Sequence, residues 1–338
     1  MATIGNQTLA PIALGCMNLS HAYGTPPSER HGINVLNTAL DMGYNMLDTA
    51  VLYGFGANEK LLAKAVGHRR DDYFLASKCG MAKGPDGKRT IDGNPTVLRR
   101  TCEEALRRLN TDVIDLYYLH RWDKNVPIEE SVGELSRLVE EGKIKHIGLS
   151  EVSATTIQKA HQVHPIAAVQ SEYSLWSRNP EIAVLDTCNQ LGITFVSFSP
   201  VGRGMLSGEV SSNEFVQGDI RLAMPRFSDQ NFPLNLDKVE QLKRLLPMFE
   251  EENNSLPYPT LAQISIAWTL AKAPNSIALP GTTDIKHLKD NWNSQKYSVS
   301  ADLITLVESV MKNSEVAGAR YNMPTQLEID TEEFDTDV

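Results

Sequence analysis

Eight short apolar runs, separated by helical patterns, constrain this chain more than any other feature. They cover residues 12–14, 44–47, 73–76, 113–119, 144–149, 167–169, 193–198 and 277–279. Each is nearly continuous in apolar character, as a parallel strand covered on both faces must be. Between them apolar residues recur at helical spacing: Leu98, Cys102, Ala105, Leu106 and Leu109, then Ile128, Val132, Leu135, Leu138 and Val139, and later Leu261, Ile264, Trp268 and Ala271. Strand–helix alternation argues for an α/β fold with a parallel sheet. Eight repeats argue for closure into a (β/α)8 TIM barrel, which a chain of 338 residues accommodates as one domain.

Two features lie outside the eightfold pattern. Thr3-Ile4 and Thr8-Leu9 flank Gly5-Asn6, which predicts an N-terminal β-hairpin plugging the barrel end. The gap between the seventh and eighth strands is long, with a polar segment over 209–235 and an extra helix over 236–252. It predicts a loop insertion between strand 7 and its helix, and such insertions usually carry function. We expect a single barrel domain over residues 1–325 and an acidic, mobile tail over 326–338.

The formal net charge is −10, which argues against nucleic-acid binding, since that needs clustered Lys and Arg. The basic spots Arg69-Arg70, Arg99-Arg100 and Arg107-Arg108 read as solvated faces. The four cysteines, Cys16, Cys79, Cys102 and Cys188, form no Cys-x-x-Cys pair, so a reducing compartment is expected. No basic leader and no apolar stretch of about 18 residues occurs. The expectation is a cytoplasmic protein without a membrane segment, and monomer and homo-oligomer are both compatible with the sequence.

The informative polar residues stand at strand ends: Asp48, Lys78, His120, Ser150, Gln170 and Ser199 close strands two to seven. In a barrel these ends meet at one rim, where active sites lie. Singly, Asp48 could be a helix N-cap, Lys78 a solvated charge, His120 a structural histidine and Tyr53 a loop aromatic. Together they form an acid–base set. Carbonyl reduction needs hydride on carbon and a proton on oxygen. Tyr53 could give the proton, Lys78 would lower its pKa, Asp48 would hold Lys78 charged, and His120 would hydrogen-bond the substrate oxygen.

Other chemistries lack their motifs. Gly54-Phe55-Gly56 is followed by Glu59 where a dinucleotide fingerprint needs glycine, and Gly202-Arg203-Gly204 has its next glycine only at Gly208. Gly148-Leu149-Ser150 has no glycine at position 152 for a nucleophile elbow. No phosphate-loop pattern and no His-Glu-x-x-His appears, and no metal site is expected.

From Gly15 to Asn291 the sequence resembles the aldo-keto reductase superfamily. Gly43-Tyr-Asn-Met-Leu-Asp48-Thr-Ala-Val-Leu-Tyr53-Gly with Glu59 matches its first signature, Lys78 lies in Leu75-Ala-Ser-Lys, and His120 lies in Asp115-Leu-Tyr-Tyr-Leu-His-Arg. The resemblance implies a catalytic tetrad of Asp48, Tyr53, Lys78 and His120, a nicotinamide cofactor, NADPH/NADP+, and reduction of a small-molecule aldehyde or ketone.

The resemblance also implies a cofactor groove. Gly15 and Met17 would line it, Ser150, Glu151 and Gln170 would hold the carboxamide, and Phe198 would stack on the nicotinamide. Ser199, Pro200, Val201, Gly202, Arg203, Gly204 and Gly208 would cross the pyrophosphate as a backbone anion nest. Gly281, Thr282, Thr283, His287 and Asn291 would hold the adenosine end. Two positions depart from the family: Glu151 stands where asparagine is common, and His287 where arginine commonly grips a 2′-phosphate. Tyr23, Phe55, Trp122 and Trp176 are expected as aromatic substrate walls, with segments 81–95, 210–235 and the tail after Val316 setting substrate choice. The competing readings are alcohol oxidation, a regulatory cofactor-binding subunit with little turnover, and a lyase with a Schiff base on Lys78.

Overall fold

The structure, a computed structural model, describes residues 1–84, 87–312 and 315–334. An antiparallel hairpin of β1 (Ala2–Ile4) and β2 (Gln7–Leu9) opens the chain. Barrel strands β3 (Leu14–Gly15), β4 (Met46–Asp48) and β5 (Phe74–Cys79) follow, then a small antiparallel pair, β6 (Met81–Lys83) and β7 (Arg89–Ile91). The barrel continues with β8 (Ile114–Leu119), β9 (Ile144–Ser150), β10 (Ile166–Glu172), β11 (Thr194–Phe198) and β12 (Ser276–Leu279). All neighbours pair in parallel, in the order β3-β4-β5-β8-β9-β10-β11-β12. Closure comes from Ala278 N–H donating to the Pro11 carbonyl at 2.8 Å, Ala13 N–H to the Ala278 carbonyl at 2.9 Å and Gly15 N–H to the Pro280 carbonyl at 3.0 Å.

Helices α1 (Glu29–Met42), α2 (Ala57–Val66), α3 (Pro95–Leu109), α4 (Ile128–Glu140), α5 (Ala154–Val163) and α6 (Val184–Leu191) follow the first six strands. Local sequence starts and stops them: Ser28 and Asn94 side chains cap α1 and α3, and Gly43 ends α1 at a φ of 105°. The β11 insertion holds α7 (Phe232–Lys243) and α8 (Leu246–Glu252) before α9 (Leu261–Lys272), which a Thr260–Gln263 capping box begins. The single extra helix expected over 236–252 is therefore two. Pro247, in the first turn of α8, has no N–H to continue the preceding helix. Helices α10 (Ile285–Asn293), α11 (Ala301–Val310) and α12 (Met323–Gln326) complete the chain.

The core is two layers sorted by strand period. Leu47, Leu75, Tyr117, Leu119, Val169 and Phe195 pack outward beneath the helices. Met46, Phe74, Ala76, Leu116, Tyr118, Ala168, Val196 and Ile277 pack inward, where Ala2, Ile4 and Leu9 of the hairpin close the bottom as expected. Tyr118 leans over Gly148, where an added Cβ would meet the ring at 2.3 Å, so only glycine fits on that strand. The sixth strand runs further than its apolar run, because polar Gln170, Ser171 and Glu172 still pair through backbone with β11. Ladder bonds belong to the backbone and do not require apolar side chains.

The acidic tail is docked as far as the structure describes it; residues 335–338 lie outside the described residues. Ile329 is buried, and the Asp330 carboxylate accepts from the Ser153 N–H at 3.1 Å, the Ser153 hydroxyl at 2.9 Å and the Thr156 hydroxyl at 2.7 Å. Glu332 accepts from the Ala154 N–H at 2.7 Å. These carboxylates occupy the N-terminus of α5, whose free N–H groups and dipole favour anions. This corrects the expectation of a mobile tail: its charge has a destination that local sequence does not reveal. Asp330→Ala should lower stability by about 1–2 kcal/mol, read as a lower urea midpoint; an unchanged midpoint would mean the tail does not hold in solution.

Candidate active site

The inward set of side chains changes character at the rim. Continuing each inward series by two residues leads from Met46 to Asp48, from Ala76 to Lys78, from Tyr118 to His120, from Ala168 to Gln170 and from Val196 to Phe198. The period that fills the barrel with apolar groups thus delivers polar groups to its mouth. Asp48, His120, Gln170 and Phe198 line a cavity of about 780 Å³ whose wall runs from Tyr53 and His120 to Thr282, His287 and Asn291, with Lys78 buried behind it.

Lys78 is the centre. It is fully buried, and its ammonium donates to the Asp48 carboxylate, to the Thr49 carbonyl at 2.9 Å and to the Tyr53 hydroxyl at 3.3 Å. Asp48 also accepts from the Gln170 amide at 2.9 Å, so its carboxylate is held from two sides. Tyr53 lies in a tight turn whose next residues, Gly54, Phe55 and Gly56, have φ of 61°, 51° and 91°. That left-handed run turns the chain away and leaves the phenol facing Lys78. The His120 ring meets the Tyr53 ring edge-on at 6.1 Å, and the His21 ring stacks on it at 6.4 Å.

The electrostatics follow from burial. Desolvation alone would lower the Lys78 pKa, but the Asp48 carboxylate and the Tyr53 hydroxyl together outweigh it and hold the ammonium above its ordinary value. Tyr53 is raised: burial dominates, and the opposing pull of Lys78 does not cancel it. This corrects the expectation that Lys78 brings the phenol below its usual value. The net result is a protonated Tyr53 at neutral pH, with Lys78 placed to stabilise the phenolate once the proton leaves. Burial, with Lys78 and Arg121 nearby, holds His120 well below its usual 6.5, so its imidazole is neutral.

A second layer fixes these groups. Thr49 donates to Asn58 at 2.6 Å, and Asn58 donates to the Cys16 carbonyl at 2.9 Å, tying the β4 end to the loop after β3. Glu59, fully buried, accepts from the Ser77 hydroxyl at 2.8 Å and from Arg108 at 2.6 Å. The residue that breaks a glycine fingerprint is an anchor between α2, β5 and α3.

Most of the expected groove residues reach the cavity: Gly15, Met17, Ser150, Gln170, Phe198, Ser199, Val201, Arg203, Gly204, Gly281, Thr282, Thr283, His287 and Asn291 line it. Glu151 does not. Its buried carboxylate pairs with Arg320 at 2.7 Å and accepts the Glu172 N–H at 2.7 Å. Pro200, Gly202 and Gly208 also lie off the wall, and a Cβ added at Gly202 would meet the Trp176 indole at 2.8 Å. The Gly202 and Gly204 N–H groups donate to the Ser199 and Val201 carbonyls, so the loop consumes donors expected to serve an anion. Arg203 is paired with Glu172 at 2.8 Å, and His287 lies 3.1 Å from Glu209.

Of the expected aromatic walls only Tyr23 lines the cavity. Trp176 is core, packed edge-on to Phe227 at 5.6 Å. Trp122 donates its indole N–H to the Val126 carbonyl at 2.8 Å, and Phe55 is exposed with the Lys83 ammonium 5.5 Å above its ring. Of the segments expected to set substrate choice, Met81, Arg89, Val210, residues 220, 221, 223 and 224, Tyr321, Asn322 and Thr325 reach the wall; Pro85 and Asp86 lie outside the described residues. Sequence alone singles out neither His21 nor Arg121 as a wall residue and reaches Arg89 and Tyr321 only through the segments that hold them. Arg121 carried a usable signal, since it directly follows His120; the others come from segments without periodicity. Among the described residues, no group of three His, Cys, Asp or Glu side chains could hold a metal, and no helix is long and apolar enough to cross a membrane.

A family model described as the aldo/keto reductase family matches residues 11–312. The NADP(+) aldo-keto reductase yakc of Schizosaccharomyces pombe is 40% identical over 326 residues, spanning 94% of this chain and 93% of the relative. The probable aldo-keto reductase 1 of Glycine max is 40% identical over 93% of this chain and 88% of its own length. Among solved structures, the glycerol dehydrogenase AKR11B4 from Gluconobacter oxydans superposes with a TM-score of 0.82 at 25% identity, covering 92% of this chain and 96% of the other.

The neutral state of His120 makes a pH prediction. Its folded pKa lies below the unfolded value, so as pH falls below about 6.5 the unfolded chain takes up a proton that the folded site refuses. Stability should fall on acidification, with a His120 contribution of at most about 1.4 kcal/mol per pH unit. His120→Gln should flatten that part of the curve of unfolding midpoint against pH; an identical slope in the variant would contradict a neutral buried imidazole.

Proposed function

Since the chain belongs to the aldo/keto reductase family, we propose that it is an NADPH-dependent reductase of aldehydes and ketones in which Tyr53 gives the proton. The observation that carries this reading is the Tyr53 hydroxyl 3.3 Å from Lys78, itself bonded to Asp48, at the wall of one large cavity.

The residues present fit a nicotinamide dinucleotide. Gly15 and Gly281 approach so closely that a Cβ at Gly281 would meet the Gly15 carbonyl at 2.8 Å, leaving the wall there bare backbone. Ser150 and Gln170 would hold the carboxamide, Phe198 would face the ring, and Thr282, Thr283, His287 and Asn291 would receive the adenosine end. The relative named for NADP(+) supports the phosphorylated cofactor. When bound, it supplies the hydride.

This chain's own residues manage the proton and the developing charge. The neutral His120 imidazole donates a hydrogen bond to the carbonyl oxygen and orients it toward Tyr53. The tyrosine proton moves to that oxygen as the carbonyl carbon is reduced. The Lys78 ammonium, fixed by Asp48, then faces a phenolate, an arrangement stronger in the charged state than in the ground state. Burial keeps water from competing for the proton.

The alternatives fit less well. Lys78 is charged and ion-paired, so its amine has no free lone pair for a Schiff base. The acid–base set is complete, which a purely regulatory subunit would not need. Alcohol oxidation uses the same groups in reverse, and the likeness to a glycerol dehydrogenase favours testing both directions. Buried free thiols at all four cysteines support a cytoplasmic setting.

Tyr53→Phe should keep NADPH binding, followed by fluorescence titration, and lose carbonyl reduction by about 100-fold or more, followed by loss of dihydronicotinamide absorbance. Near-normal turnover would sink the proton-donor assignment. His287→Arg should tighten NADPH about tenfold more than NADH, because a guanidinium grips a phosphate that histidine holds weakly. Equal changes for the two cofactors would refute a 2′-phosphate contact at that position.

A further inference from the structure

Four guanidinium groups line the cavity, and three already have a carboxylate partner. Arg89 is 2.5 Å from Glu328, Arg203 is 2.8 Å from Glu172, and Arg221 is 2.7 Å from Asp219. Arg121 differs. Among the described residues no acid stands within ion-pair distance of it. Its Nη1 donates to the His120 carbonyl at 2.8 Å and to the Ser150 hydroxyl at 3.3 Å, and its Nε is buried without a partner. The side chain is more than nine-tenths buried, with the residue 8% exposed.

A guanidinium cannot shed its proton to escape this position. A buried cation without a counter-charge is costly, and proteins keep one where a ligand supplies the missing anion. Asp48 does not serve, because its two oxygens are taken by Lys78 and Gln170. Arg121 follows His120 directly, and both line the same end of the cavity. Its field reaches both reacting groups, opposing charge on His120 and favouring it on Tyr53.

We propose that Arg121 is a specificity-determining residue that binds the carboxylate of the substrate, and that the preferred substrates are 2-oxo acids. With the carbonyl oxygen at Tyr53 and His120, a carboxylate on the adjacent carbon falls beside Arg121 and can take its planar fork in two hydrogen bonds. The reaction balances as a two-electron reduction. Hydride from NADPH bonds to C2, the C=O π pair forms the new O–H bond with the Tyr53 proton, a proton from solvent restores the Tyr53 hydroxyl, and the products are a 2-hydroxy acid and NADP+. The carboxylate is unchanged. The inference rests on the carbonyl-reductase reading above.

The test compares phenylglyoxylate with its methyl ester, which has the same shape at the reacting carbonyl but no charge. The wild type should favour the acid in kcat/KM. In Arg121→Met the acid-to-ester ratio should fall about 10- to 100-fold, mainly through KM for the acid. Arg121→Lys should lie between, since it keeps charge and loses the fork. Any general effect of Arg121 on Tyr53 acts on both substrates and cancels in the ratio. An unchanged ratio, or a wild type that favours the ester, overturns the proposal. A wild type that reduces no carbonyl compound defeats the reductase reading, and binding then decides. Oxamate titrated into the NADPH-saturated protein should bind the wild type at least tenfold more tightly than Arg121→Met, and equal binding overturns the carboxylate site. If circular dichroism shows Arg121→Met unfolded, Arg121→Lys and Arg121→Gln carry both comparisons.

Discussion

The three backbone hydrogen bonds that join the first strand to the last, from Ala278, Ala13 and Gly15, turn a twisted parallel sheet into a ring. In an open sheet the eight strand ends would fan apart. In the ring they face one another, and every inward position at the same height shares one interior. The N-terminal hairpin fills the lower end with Ala2, Ile4 and Leu9. The upper end is left for side chains that cannot be buried without partners.

Those partners are supplied in pairs and triads. Lys78 is neutralised by Asp48, Asp48 is shared with Gln170, and Thr49 and Asn58 hold the chain that carries them. Next to this lies a second buried network, in which Glu151 and Glu172 meet Arg203 and Arg320. It anchors the segment after α11 to the ends of β9 and β10, and it brings Tyr321 to the cavity wall. The two networks share a logic: each buried charge is cancelled locally, so the low-dielectric interior strengthens the pairing instead of penalising the charge. Of the four guanidinium groups on the cavity wall, Arg121 alone lacks such a partner among the described residues.

Burial also decided a sign. A lysine beside a tyrosine suggests a lowered phenol pKa, and in water that would hold. Inside the barrel mouth, loss of hydration costs the phenolate more than Lys78 returns, so Tyr53 stays protonated. The order of magnitude of desolvation depends on depth, and depth is a property of the assembled ring.

Much of the fold was legible before assembly because it rests on local periodicity. Apolar runs, helical spacing and caps such as Ser28 and Asn94 are written in neighbouring residues, and so are the strand-end positions of Asp48, Lys78 and His120. What failed rested on distant partners. Trp176 and Trp122 have the chemistry of a substrate wall, yet packing turned one into core and gave the other a loop carbonyl. Glu151 reads as a cofactor ligand until Arg320, 169 positions away, claims it. The acidic tail reads as mobile until the free N–H groups of α5 receive it. The sequence alone determined which residue types reach the rim, through the period of the strands. Only the tertiary structure decided which of those residues keep an open face toward the cavity. A side chain's freedom depends on whether some remote part of the chain brings it a better partner, and no local pattern records that.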